Sequence, residues 1–333
     1  MNYIGSKFKL TPFIKDTVYS VVGKDLSDKV FCDLFAGTGI VGRVFKKEVK
    51  KVISNDIEYY SYVLNKNYIE NHKYFKYQEY LDELNNLKLS SKSFIYQNYC
   101  PGSGSGRQYF KDSNGQKIDV IRQKIEKWKK DKKINKNVYY FLLASLLEAV
   151  DKVANTASVY GAFLKHIKKT AQKDIFLEPA IFEANSNNHK VYKEDSNKLI
   201  KTIDGDILYL DPPYNERQYG ANYHILNTIA KYDKFIPQGL TGLRQYSRSN
   251  YCIKKNVKDS FDDLIKNAEF RYVFLSYNNE GLMGADEIKK IMKKYGRYTR
   301  VSKKYQRFKA DKTENRNHKA DETFEYLHIL EKS

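Results

Sequence analysis

Residues 29–34, KVFCDL, form an apolar run that closes on a carboxylate, the pattern of a buried strand. A Gly-rich stretch, FAGTGIVGRVFKK, follows at once and passes into a helical pattern. Residues 50–55, KKVISN, then read as a second strand ending at Asp56. Strand, glycine turn, helix, strand and acid in this order predict a βαβ unit of a doubly wound α/β sheet. A third strand is predicted at 206–210, DILYL, running into Asp211. RYVFLSY at 271–277 adds another, followed by a helix near 285–294 and two strand candidates around 297–308 and 323–330.

The middle of the chain keeps a different period. Ile118, Ile121, Ile125 and Trp128 recur at helical spacing within 117–136, and 138–154 is apolar enough for a buried helix. NYCPGSGSG at 98–106 predicts a flexible Gly/Ser-rich stretch. The expected organisation is an α/β domain from 1–69 and 176–333, interrupted by a largely helical insertion at 70–175.

Composition narrows the partners. The 333 residues and 41% apolar content suit a globular protein with a sizeable core. Fifty-nine Lys and Arg against 40 Asp and Glu leave a net charge of +19, which favours a polyanion, either nucleic acid or an anionic membrane surface. The chain has no apolar run of bilayer-spanning length, and MNYIGSKFKL lacks the apolar core of a signal peptide. The expectation is therefore nucleic acid, no membrane, and a cytoplasmic, nucleoid-associated protein. Cys32, Cys100 and Cys252 lie far apart, form no metal spacing with the six histidines, and read as reduced thiols; no metal is expected.

Gly37-Thr38-Gly39-Ile40-Val41-Gly42 matches GxGxxG between a strand and a helix. Glycines let backbone approach a ligand, and the helix start offers free N–H groups. Asp56 is placed to accept from ribose hydroxyls. The pair implies an adenosine-bearing cofactor, with NAD and S-adenosylmethionine both fitting; a tight turn without ligand has the same spacing. Asp211-Pro212-Pro213-Tyr214 separates these readings. Adenine N6 is a poor nucleophile, because its lone pair is delocalised into the ring. A carboxylate and a carbonyl held by prolines could accept its two N–H bonds and free the lone pair, while the tyrosine ring stacks the extruded base. An NAD-dependent dehydrogenase leaves this tetrapeptide unexplained.

With these motifs the sequence resembles the D12 class of DNA adenine-N6 methyltransferases, the group of Dam-like, FokI-type and NlaIII-type modification enzymes. Asn2-Tyr3-Ile4-Gly5-Ser6-Lys7 is similar to that family's N-terminal cofactor motif, in which Tyr3 and Lys7 would contact the cofactor. Asp33-Leu34-Phe35-Ala36-Gly37-Thr38-Gly39 matches its Gly-rich motif, and Asp56-Ile57 its ribose and adenine contacts. Asp195 matches the acid that accepts the adenine amino group. Asp211 to Tyr214 matches the catalytic motif, with Asp211 also beside the methionine part of the cofactor. The resemblance implies a Rossmann-like class I S-adenosylmethionine-dependent methyltransferase with a helical target-recognition insertion. It also implies base flipping and direct transfer to adenine N6 in a short double-stranded DNA sequence. It leaves room for a cognate restriction endonuclease acting on the same site, and a monomer is expected. An RNA adenine methylase of the same fold and a catalytically silent DNA-binding subunit are the rival readings.

Three basic segments complete the picture. Nine Lys/Arg face three acids in 117–136, five Lys/Arg and no acid occupy 244–258, and 289–319 holds thirteen Lys/Arg and two acids. Arg107, Tyr109, Arg217, Tyr219, Arg244 and Arg248 are the residues expected to touch DNA, with the Gly/Ser loop before Arg107 ordering on it.

Overall fold

The computed structural model describes residues 7–71, 73–89, 93–306 and 322–333. These fall into two compact units, one of Gly5–Asn65, Asn185–Gln218 and Ser247–Ser333, the other including Lys66–Ala184 and Tyr219–Tyr246.

The first unit is built on a seven-stranded sheet: β1 (Val30–Asp33), β2 (Lys51–Asn55), β3 (Lys190–Tyr192), β4 (Asp204–Leu210), β5 (Glu269–Asn278), β6 (Gly296–Gln306) and β7 (Glu322–Lys332). Their order is β3-β2-β1-β4-β5-β7-β6. The first five run parallel, and β7 returns antiparallel between β5 and β6. Parallel strands covered on both faces need continuous apolar runs, which β1 and β4 supply. Phe31, Cys32, Leu208 and Leu210 are fully buried. The helices Val257–Asn267 and Ala285–Met292 pack Phe261, Leu264, Ile288 and Met292 into the same core.

Every strand expected from the pattern is present among the described residues, with ends within two residues of expectation; positions 307–308 of the expected 297–308 strand lie outside the described residues. β3 was not expected. It is three residues long, too short to display a period, and among the described residues it pairs with β2 alone, at the sheet edge.

The second unit is helical. Ile118, Ile121, Ile125 and Trp128 lie buried along the helix Asp112–Lys130, which packs on the helix Lys136–Val153. Asn135 starts the latter by accepting from the Asn137 and Val138 N–H groups at 3.0 Å each. The unit is larger than the expected 70–175, because it takes in Tyr219–Tyr246, a segment whose sequence position suggested the α/β domain. Two buried polar groups explain this. Arg122 donates to the Ile229 and Ala230 carbonyls at 3.1 Å each, closing the end of the helix His224–Lys231. Asp119 accepts from Ile95 N–H at 2.9 Å, Tyr96 N–H at 3.0 Å and Tyr232 Oη at 2.5 Å. One carboxylate thus starts the helix Phe94–Tyr99 and tethers the later segment.

The Gly/Ser stretch is held by its own bonds rather than left loose. Asp112 Oδ1 accepts from Gly102 N–H at 2.9 Å, and Ser103 Oγ donates to the Cys100 carbonyl at 2.7 Å. The three cysteines are free and buried. Among the described residues, no helix is long and apolar enough to cross a membrane.

Asp119→Ala strands two buried N–H groups and should destabilise the protein by about 2–4 kcal/mol. Urea unfolding checks this. A change below about 0.5 kcal/mol, the usual size for a surface substitution, would contradict the tether.

Candidate active site

The Gly-rich turn joins β1 to the helix Ile40–Phe45. Gly37 and Gly39 have φ of +52° and +76°, values that exclude most side chains. A Cβ on Gly39 would also lie 2.4 Å from Asn65 Oδ1. The turn is braced from outside, since Asn65 Nδ2 donates to the Gly37 carbonyl at 3.0 Å and Ser61 Oγ donates to the same oxygen. Ala36 is buried against β2 through an N–H bond to the Asn55 carbonyl at 2.9 Å, and Phe35 stands edge-on to Tyr251 at 5.0 Å. Thr38 is half-buried.

Three acids close the ends of β1, β2 and β4. Asp33 is 1% exposed; its Oδ2 accepts from Gly42 N–H at 3.1 Å, while its Oδ1 is buried with no hydrogen-bond partner among the described residues. Asp56 clamps the turn, accepting from Gly37 N–H at 2.8 Å and from Glu58 N–H at 2.9 Å. Burial raises its pKa to about 6 against the pull of those two bonds. Ile57 beside it is 37% exposed, an apolar surface next to a carboxylate. Asp195 is exposed and caps the helix Ser196–Leu199 through the Lys198 N–H at 3.1 Å.

Asp211 follows β4 directly. Lys7 Nζ lies 3.1 Å from its Oδ1 and 2.9 Å from Glu325 Oε1. Burial works against the Lys7 ammonium, but Asp211 and Glu325 outweigh it and hold its pKa well above the ordinary value. Burial raises Asp211 to about 6; Lys7 opposes this and Glu325 adds to it. Pro212 is buried and Pro213 partly so. Tyr214 is partly exposed and fixed in place: its carbonyl accepts from Leu282 N–H at 3.0 Å, its ring stands edge-on to Tyr277 at 6.0 Å, and Lys7 Nζ lies 5.5 Å from its centroid. The site thus combines a backbone cradle, an acid with an unsatisfied oxygen, and a carboxylate beside a fixed aromatic ring. This donor and acceptor set fits an adenosine cofactor carrying a positive charge.

The model of the D12 class N6 adenine-specific DNA methyltransferases matches residues 3–291. The chain belongs to this family. The type II methyltransferase M.NlaIII of Neisseria lactamica is 62% identical over 100% of both chains. M.FokI of Planomicrobium okeanokoites is 44% identical over 89% of this chain, which spans 47% of that relative's length. M.CviAII of Paramecium bursaria Chlorella virus 1 is 39% identical, with 89% of each chain covered. This D12 enzyme is a site-specific DNA adenine methyltransferase with a Rossmann-like fold, and the family implies S-adenosylmethionine as methyl donor and double-stranded DNA as substrate.

Several expected contact residues of the D12 chain do other work. Tyr109 is fully buried and its hydroxyl donates to the Tyr160 carbonyl at 2.9 Å, so it is a core residue and not a DNA contact. Arg244 is 7% exposed and forms a bidentate pair with Asp233 at 2.9 and 2.7 Å. Arg107 donates to the carbonyls of Asn98, Gly239 and Leu240 at 3.2, 2.9 and 3.1 Å, which makes it the anchor of a surface turn. Tyr251, in the second basic segment, is buried and donates to Asn197 Oδ1 at 2.9 Å. Tyr219 is half-buried against Tyr223 at 6.0 Å. Arg217 and Arg248 are exposed. The segments bearing them are tied by Gln218, whose amide accepts from Ser249 N–H at 2.8 Å and donates to the Ser249 carbonyl at 3.3 Å. Tyr3 and the part of 289–319 beyond residue 306 lie outside the described residues.

Sequence reasoning missed Glu325. A signal existed: on β7 it shares a face with the buried Leu327 and Ile329, so period two places an acid at an inward position.

Burial raises the Asp33 carboxyl from 3.8 to about 8, with the Gly42 N–H opposing and Asp211 and Asp56 adding. The folded protein therefore holds a proton that the unfolded chain releases. This term favours folding fully below 3.8 and is lost as pH rises through about 8. Asp33→Asn should flatten the fall in melting temperature across that window, measured on ligand-free protein. An unchanged slope would contradict the burial of an ionisable group here.

Proposed function

We propose that this D12 methyltransferase binds S-adenosylmethionine on the ends of β1, β2 and β4 and methylates a flipped adenine held at Asp211–Tyr214. The observation that carries the reading is the placement of Asp211: a largely shielded carboxylate directly after a central strand, beside a fixed tyrosine ring. Bound S-adenosylmethionine supplies the electrophilic sulfonium methyl. Gly37, Thr38 and Gly39 admit the cofactor to the backbone, and Phe35 and Ala36 wall the turn. Asp56 takes the ribose hydroxyls, Ile57 the face of the cofactor adenine, and Asp195 its amino group. Asp33 Oδ1, buried and without a partner among the described residues, suits the cofactor's ammonium. Tyr3 and Lys7 complete the cofactor contacts.

Asp211 and the Pro212 carbonyl accept hydrogen bonds from the two N6–H groups of the target and turn its lone pair out of the ring; the N6–C bond forms as the S–CH3 bond breaks, S-adenosylhomocysteine leaves, and one N6 proton is lost. Pro213 fixes the loop, and Tyr214 stacks the base. The helical unit, including Tyr219–Tyr246, carries target recognition, while Arg217 and Arg248 meet the phosphate backbone. The relatives' type II character supports a companion endonuclease cutting the same sequence.

Asp211→Asn should lower single-turnover methylation by about 10²–10³-fold while gel-shift affinity for duplex DNA stays near wild type. Near-wild-type turnover would refute the assignment of Asp211. Asp56→Ala removes both the ribose acceptor and the clamp on Gly37, and should weaken S-adenosylhomocysteine binding by about 1–3 kcal/mol in titration calorimetry. Unchanged binding would remove Asp56 from the cofactor site.

A further inference from the structure

Three neighbouring strands bring polar groups to one edge of the sheet. The β4–β5 register runs to Leu210 and Leu275, so Asp211 and Ser276 are the next positions on each chain. On β7, Leu327 pairs with Ser276 and Glu325 with Asn278. Ser276 Oγ donates to Glu325 Oε1 at 2.6 Å, and Lys7 Nζ lies 2.9 Å from that same oxygen and 3.1 Å from Asp211 Oδ1. Ser276, Glu325 and Lys7 are 1%, 5% and 3% exposed. A single buried ammonium therefore serves two carboxylates, and the cluster keeps one net negative charge.

We propose that Glu325 is a positioning residue for methyl transfer, sharing Lys7 with Asp211 so that Asp211 retains its strength as acceptor toward the target N6–H. The inference rests on the reading of Asp211 given above. If Lys7 had only Asp211 to satisfy, the two would form a neutral pair, and a neutralised carboxylate polarises an amine poorly. Sharing leaves negative charge facing the nitrogen as positive charge develops on it. Ser276 fixes Glu325 in the rotamer that reaches Lys7.

The charges acting on Asp211 are Lys7 and Glu325 on β7, while Asp33 on β1 and Tyr209 on β4 lie close enough to feel the charge of Asp211 itself. Lys7 favours the ionised carboxylate, and Glu325 disfavours it. Removing the Glu325 charge must therefore move the acid limb of the pH–rate profile to lower pH even as the plateau falls. A merely structural role would move the plateau alone.

The test uses the full chain, S-adenosylmethionine with a tritiated methyl, and genomic DNA from a methylase-free host. Glu325→Gln should lower the saturated single-turnover rate by about 10- to 100-fold, with KM for both substrates within about twofold and the acid limb displaced downward. Glu325→Asp, which keeps the charge, should return the limb to its wild-type position. Ser276→Ala provides a second route if Glu325→Gln does not fold. It should slow transfer several-fold, and Ser276→Thr should restore it. Asp211→Asn runs in parallel. Wild-type rates and an unmoved limb in Glu325→Gln, or an unchanged rate in Ser276→Ala, would overturn the role of Glu325 while an inactive Asp211→Asn left the site reading standing. An active Asp211→Asn would instead overturn the site reading itself.

Discussion

A buried lysine ammonium is tolerated only where carboxylates replace its water, and Lys7 meets that condition between Asp211 and Glu325. Removing one member of such a group leaves an uncompensated charge, at a cost of about 3–5 kcal/mol. The arrangement constrains the topology. Parallel strands deliver their C-terminal ends to one edge of the sheet, which is how Asp33, Asp56 and Asp211 come together. Only an antiparallel strand can bring its beginning to that same edge. β7 does so, and Glu325 lies near its start.

The electrostatics divide by location. The chain as a whole carries +19, yet the ends of β1, β2 and β4 hold three acids raised by burial. A cation placed at these strand ends would favour the ionised form of each acid. The surplus of Lys and Arg has the sign that suits DNA, the substrate of the family. Part of that surplus is structural, since Arg107 and Arg122 donate to backbone carbonyls and Arg244 pairs with Asp233.

Contiguous motifs were legible because their chemistry is local. The Gly37–Gly42 turn needs residues that tolerate positive φ, and Asp211–Tyr214 places acid, prolines and ring in four consecutive positions. What escaped was set by contacts distant in sequence. Tyr219–Tyr246 joins the helical unit through Arg122 and Asp119, partners that nothing in its own composition announces. Arg107, Tyr109 and Arg244 read as surface because basic and aromatic residues near a Gly-rich loop look alike whether they face solvent or an internal partner. Glu325 lies over a hundred positions beyond Asp211 and belongs to no motif; only its inward phase on β7 marked it.

A methylation map tests the adenine specificity of this enzyme and the role of Asp211 together. The chain is expressed in a methylase-free host and the genome read by single-molecule sequencing. N6-methyladenine is expected at one recurring short sequence, and is expected to be absent in cells carrying equal amounts of folded Asp211→Ala. A genome left unmodified by the folded wild-type protein, or marks on cytosine in place of adenine, would contradict that expectation.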